Sequence, residues 1–159
     1  MKFLLVGLML LLSIEPTFAQ SENYERGHQA LQLWDNEAMA LAPQWVRIWL
    51  MIMGASFAIG LFFVWRHPIA RWVVGGFIAA IAVSGFVAPA LGIVGLSGFV
   101  ALVHLFCWSP ALYQLLTKRP FLGDTSAFSI WSGVITAVIL FSFIFDIRDA
   151  FIYLQHILS

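Results

Sequence analysis

An all-α integral membrane bundle of four helices, preceded by an external amphipathic segment, is the fold class this sequence predicts. Three observations carry the prediction. Hydrophobic residues make up 62% of the 159-residue chain and charged residues 10%, against roughly half and a quarter in an ordinary soluble domain. That is more apolar surface than a water-soluble core of this size can absorb. The apolar residues also gather into four long runs, and a helix needs about 20 such residues to cross a hydrocarbon core. Short breaks between the runs hold turn residues and charges: Arg66 and Arg71, then Pro89 and Gly92, then Lys118, Arg119, Pro120 and Gly123.

The elements follow in order. Lys2, the apolar stretch Phe3 to Leu12, Pro16 and the triplet Thr17-Phe18-Ala19 have the layout of a secretory signal peptide over 1–19, with cleavage after Ala19. The apolar stretch is too short to span; an uncleaved signal anchor is the alternative. Residues 20–44 form the one sizeable polar stretch, in which Tyr24, His28, Leu31, Trp34, Ala38 and Leu41 recur at helical spacing up to Pro43. A surface helix and a loosely ordered tail both fit. The four spans are predicted at about 45–65, 72–88, 91–116 and 126–145, followed by an amphipathic C-terminal segment over 146–159. With no internal repeat and no linker, residues 20–159 read as one domain.

Orientation follows from the basic residues, which favour the cytoplasmic side. Arg66, Arg71, Lys118 and Arg119 fall at one end of the spans, while Arg26, Arg47 and Arg148 at the other lie among six acids. A cleaved leader and an even span count both put the mature termini on the outer side. The predicted topology therefore places both mature termini on the external side. The formal net charge of zero excludes a basic surface for nucleic acid. The lone Cys107 excludes an intrachain disulfide.

Small residues predict how the helices meet. Gly76, Ala80, Ser84 and Ala88 recur every four residues on the second span, and Ser129, Gly133 and Ala137 on the fourth. Gly92, Gly95, Gly98 and Ala101 recur every three on the third. Such stripes let backbones approach closely in lipid, within one chain or between chains.

Two groups of residues are candidates for chemistry. His104, with Cys107 and Trp108 about one helical turn away, lies near the middle of the predicted third span. An ionisable group there suggests a ligand for haem or a metal, a proton relay or a quinone contact. The structural alternative is a histidine bonded to Ser84, Thr136 or a carbonyl as glue between helices. Metal at His104 and Cys107 has only two ligands where a structural zinc site takes four, so no cofactor is predicted. The second group is Asp146 and Asp149 with Arg47, at the outer end. If the fourth helix continues, Asp146, Asp149, Tyr153 and His156 form a polar stripe opposite Ile147, Phe151, Leu154 and Leu158. The alternative is an interfacial stop signal with its acids in water. No nucleophile accompanies either group.

The runs His104-Leu-Phe-Cys-Trp108-Ser-Pro110-Ala-Leu-Tyr113 and Phe145-Asp146-Ile-Arg-Asp149-Ala-Phe-Ile-Tyr153 resemble those of small bacterial inner-membrane proteins of unknown function. The resemblance covers the second half of the chain and brings no activity with it. It implies that His104, Trp108, Pro110, Asp146 and Asp149 are the positions to test. The leading expectation is a non-enzymatic accessory or assembly protein, working at its outer face with the bilayer and another membrane or periplasmic protein as partners. A redox or proton-handling subunit using His104 is the alternative, and an oligomeric transporter the third.

Overall fold

The computed structural model describes residues 29–159. Helix accounts for 83% of them, with no strand. A 3-10 turn at Gln29–Leu31 leads to α1 (Asn36–Leu41), α2 (Gln44–Gly60), α3 (Pro68–Ala82), α4 (Ser97–Lys118) and α5 (Ala127–Leu158). Short 3-10 turns at Leu61–Phe63 and Pro120–Leu122 extend α2 and follow α4, and a π turn at Val83–Val87 carries α3 on to Ala90. Four stretches are long and apolar enough to cross a membrane: Gln44–Phe63, Pro68–Ala90, Ser97–Leu122 and Ala127–Leu158. The chain is a multi-pass membrane protein. The expected leader, with Tyr24 and His28, lies outside the described residues.

Several boundaries differ from expectation. Between residues 29 and 41 the N-terminal segment is not one helix. It breaks after Leu31 and restarts at Asn36, where Asp35 Oδ1 accepts the Ala38 N–H at 2.8 Å as an N-cap. The second span starts at Pro68 rather than Trp72, because proline at the first helical position costs no hydrogen bond. Its π turn precedes Pro89, which lacks an N–H and crowds the preceding turn. The third span starts at Ser97 rather than Leu91. Gly92 turns the chain with φ +72°, a conformation open to glycine, and 93–96 then passes beside the N-terminal segment, with Leu33 and Leu96 forming an antiparallel bridge. Trp34 N–H donates to the Gly95 carbonyl at 2.9 Å and Ser97 N–H to the Gln32 carbonyl at 2.8 Å. Gly92 and Gly95 therefore belong to this connection, not to a helical stripe. The fourth span and the C-terminal segment are one helix of 32 residues.

In the bundle, α4 packs on both α3 and α5, and α2 closes against the same two helices. Phe57, Val73, Trp108, Leu115, Ile135 and Ile139 form much of its centre. Close approach occurs at three glycines. A Cβ on Gly76 would run into the backbone carbonyl of Cys107 on α4. One on Gly98 would lie 2.6 Å from the Asp149 carbonyl and 2.9 Å from that of Ala30, and one on Gly60 2.8 Å from the Trp131 ring. Trp131 in turn donates its indole N–H to the Ser56 carbonyl at 2.9 Å, joining α5 to α2. The stripe on α5 is only partly an interface, since Ser129 is buried, Gly133 half-buried and Ala137 exposed. Its packed face instead holds Trp131, Ser132, Ile135 and Ile139. Buried hydroxyls bond within their own helices, Ser132 to Ser129 O and Thr136 to Ser132 O.

The connections with Arg66, Arg71, Lys118 and Arg119 share one end, called here the basic end. There Asp124 prepares the start of α5. Its Oδ1 accepts from Ser126 N–H at 3.2 Å and Ser129 Oγ–H at 2.7 Å. Hydrogen bonds from Ser126 and then Ser129 favour the ionised form and hold its carboxyl below the usual carboxylate range. A depressed folded value means stability present above about pH 4 and lost as pH falls through the folded value. Asp124→Ala should therefore flatten the acid limb of a pH-stability curve. An unchanged limb would show that the cap carries no such linkage.

Candidate functional site

The structure joins residues from the two candidate groups. His104 on α4 places Nδ1 3.5 Å from Oδ2 of Asp146 on α5, with side chains 21% and 13% exposed. Ser142, one turn before Asp146, donates its hydroxyl to the same Oδ2 at 3.2 Å. On its own helix the His104 ring stacks on Trp108, with centroids 4.1 Å apart and planes 11° from parallel. Trp108 is 1% exposed and touches Phe57 on α2 at 5.0 Å, which stacks on Phe77 of α3 at 4.5 Å. One aromatic column thus runs from the histidine on α4 through α2 to α3.

His104 lies nearer the start of α4 than its end. His104 is seven residues beyond the start of α4 at Ser97, about 10 Å along the axis. Trp45 meets Phe145 at 6.4 Å and Trp49 meets Phe141 at 4.5 Å, which sets Asp146 level with the first turn of α2. Neither expected hydroxyl bonds the histidine: Ser84 donates to Ala80 O and Thr136 to Ser132 O.

At 3.5 Å the contact has ion-pair reach but exceeds the 2.7–3.2 Å of an N–H···O hydrogen bond. Among the described residues, His104 Nδ1 and Trp108 Nε1 are the buried side-chain polar atoms without a hydrogen-bond partner. A buried unmade bond costs about 1–3 kcal/mol, so a shift of a few tenths of an ångström that lets Nδ1–H reach Asp146 is favoured. Chemically, an imidazole and a carboxylate at this distance hold and exchange a proton.

The remaining candidates disperse. Cys107 is half-buried. It lines a groove with Arg71, Trp72 and Gly76 on the α3 side, while His104 faces α5. Arg47 is exposed on α2, and Asp146 is turned to His104. Asp149 offers its backbone carbonyl to the close contact at Gly98, and Tyr153 sets its ring 6.0 Å from Phe99 on α4. No three His, Cys, Asp or Glu side chains among the described residues gather as a metal site. With Nδ1 turned to Asp146, a haem iron or metal would be taken by Nε2 of His104, the carboxylate orienting the ring. Ser142 was not a candidate from sequence; its place four residues before Asp146 was the available signal.

Comparison of the chain with protein-family models, curated protein sequences and solved structures finds no match.

Proposed function

We propose that this chain is a non-enzymatic accessory or assembly protein of the bacterial inner membrane, with periplasmic mature termini, that docks a membrane or periplasmic protein on its outer end. One observation carries this reading: the outer part of α5 is amphipathic in the inverted sense. Asp146 and Tyr153 turn inward to α4, while Ile147, Phe151 and Leu158 are 59%, 60% and 84% exposed. The spans of α2 and α5 contain 20 and 32 residues, so α5 is longer by about 18 Å. An apolar face of that length calls for a cover; the N-terminal turn at Gln29–Leu31 packs on α4 and α5 but leaves Ile147, Phe151 and Leu158 exposed. The basic residues at the opposite end support the orientation, and the two runs in α4 and α5 that resemble those of small bacterial inner-membrane proteins support the compartment.

A photoreactive side chain at Phe151 tests it in the native membrane, with Phe62, 81% exposed on the α2 side, as the lipid-facing control. A discrete polypeptide adduct at Phe151 and none at Phe62 is expected. Lipid adducts alone at both positions would contradict the docking role.

The His104–Asp146 contact favours a second reading, a proton-handling or redox subunit with Asp146 as its outer proton group. The two part at the absorbance spectrum and metal content of protein purified in mild detergent. A haem band lost in His104→Ala establishes the second; a colourless, metal-free protein removes its redox form.

A further inference from the structure

We propose that the groove between α3 and α4 at the basic end binds one anionic glycerophospholipid, with its phosphate on Arg71 and one acyl chain laid over Gly75 and Ala79. The groove holds about 310 Å³ and is walled by Trp72, Phe106 and Pro110. Arg71, Gly75 and Ala79 stand at successive intervals of four on α3, so its floor runs about 12 Å from the guanidinium toward the middle of the bilayer. Glycine and alanine make that floor low. A Cβ added at Gly75 would meet nothing within 4 Å, which marks the space as open to an occupant.

Arg71 is fixed at the mouth of the groove. Its Nε donates to the Val64 carbonyl at 2.8 Å and its Nη2 to the Trp65 carbonyl at 3.2 Å. A guanidinium carries five N–H donors, and those two bonds leave others for a phosphate. Trp65 and Trp72, 84% and 54% exposed, mark the headgroup level where tryptophans concentrate. Arg66, Lys118 and Arg119 add positive charge at the same end, and the nearby Asp124 carboxylate is occupied by Ser126 and Ser129. The field at the mouth therefore favours an anion.

A second groove supplies the contrast. It is larger, about 670 Å³, and is lined by apolar residues including Ala55, Ala58, Phe62 and Trp65, without a charged side chain. It accepts an acyl chain without regard to headgroup. Of these two grooves, the one at Arg71 joins an apolar trough to a cation placed for a phosphate.

The full chain, reconstituted in nanodiscs with equal phosphatidylglycerol and phosphatidylcholine and then released for native mass spectrometry, provides the test. One basic side chain at the membrane surface corresponds to about a five-fold preference, so retained phosphatidylglycerol should exceed phosphatidylcholine by about that factor. Gly75→Leu starts its side chain in open space on the trough floor and should abolish the preference for phosphatidylglycerol. Ala58→Leu, in the other groove, should leave it unchanged. Arg71→Gln should equalise the two lipids. Equal retention by the parent protein overturns the proposal, as does a phosphatidylglycerol preference that survives Gly75→Leu; the leucine variant serves alone if the glutamine variant does not fold.

Discussion

Gly76→Ala is expected to lower stability by about 2–3 kcal/mol, the scale of overpacking in a closed core, while Gly75→Ala next to it should be neutral or slightly stabilising. Both glycines lie on α3, and alanine is the better helix former at either. They differ in what the added methyl group meets: the Cys107 carbonyl at Gly76 and open space at Gly75. The carbonyl belongs to helical backbone, so it cannot move aside as a flexible side chain would; α3 and α4 must separate instead. That movement loosens the packing around Trp108, whose indole edge is also near Gly76. Unfolding in mixed micelles with increasing denaturing detergent measures the difference. Equal losses at both positions would show that helix propensity, and not the α3–α4 approach, governs this seam.

The second large effect is expected at the histidine–carboxylate contact. Asp146→Asn and His104→Phe should each destabilise by about 1–2 kcal/mol, with the double variant losing less than the sum by about 1 kcal/mol. The reasoning rests on burial. Removing either partner leaves the other without its counterpart in a mostly enclosed place, whereas removing both leaves little unpaired. His104→Phe keeps a ring on Trp108, so the cycle reports the contact with Asp146 rather than the stack. Strict additivity would mean that the 3.5 Å separation carries no energy and that the two residues are neighbours by packing alone.

Much of the architecture was legible in the sequence, and the exceptions have physical causes. The extent of α2 follows from Pro43 at its start and the apolar run that Trp45 and Trp65 bracket. The start of α4 was placed six residues early because Leu91 to Leu96 is apolar and has no helical or extended period of its own. What removes it from the helix is pairing with Gln32 and Trp34, which are distant in sequence. That error had a consequence for the site. With a helix beginning at Leu91, His104 falls near the middle of that helix and Asp146 just past the end of the fourth span, which separates the two. With α4 beginning at Ser97 they come level. Cys107 was grouped with His104 by its spacing of three, but the helix turns it toward α3. The inversion of residues 146–158 of α5 was half legible: the sequence shows the polar and apolar stripes, and their direction depends on where α4 and the N-terminal segment settle.

The docking role depends on which side of the membrane the long end of α5 occupies, and cysteine accessibility in intact cells tests that most directly. In a Cys107→Ala background, Ser159→Cys should react with a membrane-impermeant maleimide, and Gly123→Cys only after the inner membrane is permeabilised. The opposite pattern would put the α5 overhang in the cytoplasm and contradict the proposed outer docking face.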